Sequence, residues 1–388
     1  DYEEYYAGYA NRAIWPTMHY RLDLTSFDRR LDEGYRRVNE RFAARLVPLL
    51  RPDDTIWVHD YHFFPFGGQL RAAGVRNPIG FFLHIPFPVP EILTALPNHL
   101  GFVRAMLAYD LIGFQTKRHL SAFRRYLREE AGGEEDAEGN LVVLGRSVNA
   151  DAFPIGIDAE AFSRFPETQE GRRNFELIKD ELDGRDQIIG VDRIDYSKGL
   201  PERFLSFERL LEYYPENRGR VTLMQIAPPS RSEVRAYSEI QTRLEGLSGR
   251  INGRFADLDW SPIRFLTQSF PRRGLAGIYR ASKVGLVTPL RDGMNLVAKE
   301  YVAAQDPEDP GGRVLSRFAG AAGERQEAVR VNPYSPDELA EALQTALRMP
   351  LDERKRRWQA MFERVTTNTA SAWSTAFLDR LQAAAERI

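Results

Sequence analysis

Short apolar runs alternate with amphipathic stretches along most of this chain. The runs are "TIWVHD" (55–60), "PIGFFLHI" (78–85), "YDLIGFQ" (109–115), "QIIGVDR" (187–193), "RVTLMQIA" (220–227), "KVGLVTPL" (283–290), "GRVLSRF" (312–318) and "AVRVNPY" (328–334). Most are continuously apolar instead of alternating, as strands of a parallel sheet are when helices cover both faces. Between them, a period near 3.6 predicts helices over 28–50, 90–108, 201–214, 230–247 and 335–347. Strand–helix alternation of this kind predicts a doubly wound α/β architecture.

The pattern weakens once, in the acidic, glycine-rich stretch "EEAGGEEDAEGN" (129–140), which predicts a surface loop. "AFPIGID" (152–158) follows, and beyond Arg172 the alternation starts afresh. A boundary near Pro154–Asp158 gives one Rossmann-like domain over 1–155 and a second over 156–365. The remaining residues, 366–388, belong to a long helical tail that starts at Asp352 and is expected to pack back on the first domain. Asparagine and threonines at 366–369 predict a kink in that tail. Ligands of such sheets lie outside the carboxyl ends of the strands, so two domains in series are expected to face each other across a binding cleft.

Composition narrows the picture further. At 388 residues, with 43% hydrophobic and 11% aromatic residues, the chain suits two ordinary globular domains. A formal net charge of −2 gives no reason to expect nucleic acid or an anionic membrane as partner. The count of 0 cysteines excludes disulfides, thiolate catalysis and cysteine metal sites. No apolar stretch reaches the roughly 18 residues of a membrane span, and the opening residues have no signal-peptide pattern. A cytoplasmic protein is expected.

Two stretches carry candidate chemistry at strand ends. In "GVDRIDYSKGLPERF" (190–204), Arg193 and Lys198 sit on a loop ahead of a helix that starts near Pro201. A planar fork and a point charge on one loop suit a diphosphate, although a solvated loop reads the same way. In "PLRDGMNLVAKE" (289–300), Gly293 permits a tight turn, and Met294, Asn295 and Leu296 fall at a helix opening whose free N–H groups favour an anion. Asp292 is no phosphate ligand and is expected to accept hydrogen bonds from sugar hydroxyls. Glu300, about two turns into that helix, could accept from a ribose diol. In the first half, "WVHDYHFFPFGGQLR" (57–71) and "FFLHIPFPVPEIL" (81–93) place His59, Asp60, His62 and His84 at strand ends, without the spacing of a zinc site. Tyr6 and Trp15 in "YYAGYANRAIWP" could stack on a sugar or simply pack. There is no dinucleotide fingerprint, no phosphate-binding Gly-rich motif of the GxxxxGK type and no nucleophile elbow.

Taken in order, "YYAGYANRAIWP", "HDYH", "FFLHIPFP", "GFQT", "RIDYSKGLPERF", "QIAPPSR", "GRINGRF", "TPLRDGMNLVAKEYVAAQ" and "VNPY" resemble the trehalose-6-phosphate synthase family. These are retaining glycosyltransferases of family 20 with the GT-B fold of two Rossmann-like domains, and the resemblance covers essentially the whole chain. It implies transfer of glucose from a nucleotide-glucose, usually UDP-glucose, to glucose 6-phosphate, with no metal or other cofactor. By matching position, Arg193 and Lys198 would hold the donor diphosphate, the backbone of Gly293, Met294, Asn295, Leu296 and Val297 would embrace the donor, Asp292 would bind glucose hydroxyls and Glu300 the ribose. His84 would contact the donor glucose near the reacting centre. Tyr6, Trp15, Asp60 and Arg231 would line the acceptor pocket. The family also implies a homo-oligomer, dimer or tetramer, and a further strand and glycine-rich loop ahead of Asp1 in the parent protein. The same resemblance leaves open glucosylglycerol-phosphate synthesis from glycerol 3-phosphate, or a non-catalytic relative that only binds a sugar nucleotide.

Overall fold

The computed structural model describes residues 2–137, 141–230, 235–323 and 327–386. The chain divides into two compact units, Asp1–Pro154 with Trp373–Ile388, and Ile155–Ala372. All eight predicted strands form, each ending short of its predicted C-terminal limit, and the fourth begins at Asp186, one residue earlier than predicted.

In the first unit, β1 (Ile56–His59), β2 (Ile79–Leu83), β3 (Leu111–Phe114) and β7 (Ala150–Ala152) make a parallel sheet in the order β1-β2-β3-β7. The stretch read as a surface loop contributes instead to a small antiparallel sheet of β4 (Glu134–Glu135), β5 (Leu141–Val143) and β6 (Arg146–Ser147). The helix expected over 90–108 is broken into Pro90–Leu93 and His99–Met106. Pro97 lies between the two pieces, and proline disfavours helix at the residue before it.

In the second unit, six parallel strands run in the order β10-β9-β8-β11-β12-β13. They are β8 (Asp186–Val191), β9 (Val221–Ile226), β10 (Ile263–Leu266), β11 (Val284–Val287), β12 (Gly312–Ser316) and β13 (Val329–Val331). Neighbouring residues of one strand face opposite layers. Ile188, Leu286 and Val314 pack into one apolar cluster, while Ile189, Val287 and Leu315 pack into another. Burial on both faces is why these strands read as unbroken apolar runs. Among the described residues, no helix is long and apolar enough to cross a membrane.

The tail breaks between the helices Leu351–Thr367 and Ala370–Ala385. From Trp373 onward it belongs to the first unit, where Phe377 and Leu381 cluster with Phe82, Leu111 and Phe153. Phe377 is 0% exposed and stacks on Trp57 at 4.7 Å. Truncating a buried aromatic costs about 3–5 kcal/mol, so Phe377→Ala is expected to shift the unfolding midpoint of the first unit to markedly lower urea. A parent-like midpoint, followed by tryptophan fluorescence, would show that the tail is not part of that core.

Candidate functional site

The order of the second sheet reverses between β8 and β11. From β8 the strands progress outward through β9 and β10, and from β11 through β12 and β13. Loops that leave the carboxyl ends of strands flanking such a reversal diverge to opposite faces and leave a ligand crevice between them. Here they are the two stretches singled out in the sequence. Leu290 N–H donates to the Ser197 carbonyl at 2.7 Å, so the loops are joined through main chain. Gly199 has φ of +65°, and a Cβ there would stand 2.4 Å from the Thr288 carbonyl oxygen. Only glycine meets both demands without strain.

Charges on these loops are held by fixed partners. Asp195 is 0% exposed. One of its carboxylate oxygens accepts from Ser197 N–H at 2.9 Å and the Ser197 hydroxyl at 2.8 Å. The other accepts from the Arg193 guanidinium at 3.2 Å. Lys198 Nζ donates to Asp292 Oδ2 at 2.5 Å, and Asn295 Nδ2 donates to the same oxygen at 3.1 Å. Asp292 therefore gathers both loops, a role that spacing along the chain did not suggest. Asn295 has φ of +78°, a conformation asparagine tolerates better than most side chains. Its Oδ1 accepts Ala298 N–H at 3.2 Å, close to the start of the helix Val297–Ala304.

That helix begins at Val297 and not at Met294, so Glu300 lies in its first turn instead of two turns in. Met294 is buried, and its carbonyl accepts Ala321 N–H at 2.8 Å. Gly320 passes so close that a Cβ would meet the Gly293 carbonyl oxygen at 1.9 Å. Glu300 is buried, and burial raises its carboxyl pKa; Arg272, with Nε at 3.9 Å, pulls the other way.

In the first unit, β1 and β2 bring Asp60, His59 and His84 together. Asp60 follows β1 with φ of +74°, and its Oδ1 accepts His84 N–H at 3.3 Å. His84 Nε2 lies 3.1 Å from His59 Nδ1, and its Nδ1 lies 3.4 Å from Gln115 Nε2. Burial, with a smaller effect of His59, lowers the His84 pKa from 6.5 to about 4. Burial lowers that of His59 as well. The pair is thus a neutral hydrogen-bonded couple at neutral pH. Tyr6 stacks on His62 at 5.4 Å and 6°. Trp15 is 5% exposed and packs on His19 at 4.0 Å and Tyr61 at 5.5 Å. Tyr6, Trp15 and Asp60 therefore gather around the turn that follows β1. Arg231 lies outside the described residues. Among the described residues, no group of three or more His, Cys, Asp or Glu side chains is arranged to hold a metal ion.

Reading the residues alone did not single out Asp195, Gln115 or the buried Arg203. For Arg203 a signal existed: three and four residues from Leu200 and Phe207, it falls on the apolar face of its helix.

Parallel α/β units, one with a cation-bearing loop, a carboxylate-bearing loop and a helix start meeting at its switch point, define a doubly wound α/β protein. The model of glycosyltransferase family 20 matches residues 1–383, and the chain belongs to that family. It is 49% identical to the trehalose-6-phosphate synthase of Klebsiella pneumoniae, over 98% of this chain and 80% of that protein. A Burkholderia xenovorans UDP-forming alpha,alpha-trehalose-phosphate synthase, solved in complex with glucose-6-phosphate, superposes with a TM-score of 0.96 at 52% identity, covering 98% of this chain and 85% of the other. An E. coli trehalose-6-phosphate protein bound with UDP-2-fluoro glucose gives a TM-score of 0.95 at 47% identity, covering 98% and 84%. The fold class is that of these neighbours, GT-B with two Rossmann-like units.

The histidine pair sets a pH dependence. Below pH 6.5 the unfolded His84 binds a proton that the folded one refuses until about pH 4. The unfolded state then holds more protons, so stability falls as pH drops through that window. His84→Gln is expected to flatten the decline of melting temperature between pH 6.5 and 4 relative to the parent. Parallel declines in the two proteins would show that burial does not keep His84 neutral.

Proposed function

We propose that this chain transfers glucose, with retention, from UDP-glucose to glucose 6-phosphate, giving trehalose 6-phosphate and UDP. The observation that carries this reading is the meeting of the Lys198 loop with the Asp292–Val297 segment at the switch point. It occurs in a chain close to proteins solved with glucose-6-phosphate and with UDP-2-fluoro glucose.

In this reading Arg193 and Lys198 grip the donor diphosphate, and the N–H groups opening the helix at Val297 face the same charge. Asp292 now pairs with Lys198. An incoming diphosphate competes for that ammonium, and the released carboxylate accepts hydrogen bonds from glucose hydroxyls. Glu300 accepts from the ribose diol. His84, neutral and fixed by His59 and Gln115, contacts the glucose without adding charge. Tyr6, Trp15, Asp60 and Arg231 receive the acceptor.

The costly event is departure of UDP, as the bond from the anomeric carbon to the β-phosphate oxygen breaks. Cations and N–H groups already in place stabilise the developing charge without reorganising. The acceptor hydroxyl attacks from the face the diphosphate leaves, and its proton passes to the departing phosphate oxygen. Retention then follows without the paired carboxylates that glycoside hydrolases use. On the family resemblance, no metal ion enters the proposed transfer, and the nucleotide sugar counts as a substrate and not as a cofactor. A cytoplasmic homo-oligomer, dimer or tetramer, is the proposed working form, on the family resemblance.

UDP release from UDP-glucose is expected with glucose 6-phosphate and not with glycerol 3-phosphate or without acceptor. Lys198→Ala is expected to lower kcat by roughly 10²–10³, the usual loss for one preorganised donor. Release with glycerol 3-phosphate alone would replace the acceptor assignment. Donor binding with no release under any condition would make the chain a sugar-nucleotide-binding protein.

A further inference from the structure

We propose that Arg203 is the positioning residue that aims Lys198 at the donor diphosphate; this rests on the role of Lys198 given above. Arg203 lies in the first turn of the helix Leu200–Tyr213, and its side chain is 0% exposed. It shares an apolar helix face with Leu200, Phe204 and Phe207. A guanidinium in such a place is tolerated only when its charge is paired and its N–H groups are satisfied.

The partners are unusually spread. Nη2 donates to Asp192 Oδ2 at 2.6 Å, just beyond β8. Nη1 donates to Gln225 Oε1 at 3.2 Å, on β9. Nε donates to Thr288 Oγ1 at 2.8 Å, just beyond β11. The fourth bond, from Nη2 to the Lys198 carbonyl at 3.3 Å, reaches the loop itself. The Arg203 main-chain N–H meanwhile donates to the Gly199 carbonyl at 3.1 Å. One residue thus holds both carbonyls of the Lys198–Gly199 pair and fastens them to the ends of three rigid strands.

An ion pair with Asp192 alone would satisfy the charge. The fork geometry is what lets a single cation reach three strands and the loop, and lysine cannot copy it. The consequence falls on the direction of the Lys198 side chain, which leaves the backbone at the anchored residue. Misplacement of a reacting or stabilising group by about 1 Å costs on the order of 100-fold in rate.

The test uses the full chain carrying Arg203→Lys, which keeps the buried charge. A second variant, Arg203→Met with Asp192→Asn, removes both charges together so that neither is left uncompensated. UDP affinity by calorimetry, kcat, and KM for glucose 6-phosphate are measured for each, with and without Lys198→Ala. The expected result is a loss of about 10–100-fold in kcat, with weaker UDP binding and a glucose 6-phosphate KM changed by no more than about twofold. In the Lys198→Ala background the same changes are expected to cost almost nothing more, because residues acting through one another are not additive. Full additivity with an impaired Lys198→Ala would overturn the role of Arg203 and leave that of Lys198 standing. A Lys198→Ala protein with parent-like UDP affinity and turnover would overturn both. Parent-like kcat and UDP affinity in a folded Arg203 variant would overturn the positioning role directly.

Discussion

Everything at the candidate donor site follows from the reversal of strand order between β8 and β11. Parallel strands end on one edge of their sheet, so the loops after these two neighbours emerge side by side. Crossover connections carry the chain to opposite faces from that point, which leaves a crevice between the loops. The Leu290–Ser197 main-chain bond and the close passage of Gly199 beneath Thr288 are the local signs of that constraint. Lys198 and Asp292, 94 residues apart, are brought into an ion pair by it.

The charges around that meeting point are arranged in layers of decreasing burial. Arg203 with Asp192, and Asp195 with Ser197, are sealed inside and set the backbone. Lys198 and Asp292, with side chains 12% and 15% exposed, lie further out, and Arg193 at 39% lies further still. Burial makes the inner pairs costly to break, since removing one partner strands a charge away from water. The outer cations keep access to a ligand while their counter-ions hold them in place. Such an arrangement fits catalysis by groups that are already oriented when charge develops. The histidine couple of the first unit follows the same logic without charge: hydrogen bonds to His59 and Gln115 fix His84, and burial keeps it neutral.

Much of this architecture was legible in the sequence, for a definite reason. Strands covered on both faces must be apolar throughout, so the interior strands announced themselves. β7 and β10 did not: β7 is Ala-Asp-Ala, without a β-branched or aromatic residue to mark it, and in β10 Arg264 interrupts the apolar run. The paired motifs after β8 and β11 were legible as strand-end loops, and glycosyltransferase family 20 was recognisable from their order. Their partnership was not. Spacing cannot show that Asp292 meets Lys198, or that Asn295 in a left-handed conformation delays the helix until Val297 and moves Glu300 into its first turn. Arg203 was hidden by its type, since an arginine in a helix reads as solvated unless its periodicity with Leu200, Phe204 and Phe207 is weighed.

The central claim is that the Lys198–Asp292 junction is where a nucleoside diphosphate binds. A crystal structure of the chain with UDP tests it most directly. The β-phosphate is expected within hydrogen-bond distance of Lys198 Nζ and of main-chain N–H groups between Asn295 and Val297, competing with Asp292 for the Lys198 ammonium. A diphosphate bound elsewhere, with the Lys198–Asp292 pair and the Asn295 bond unchanged, would contradict the account.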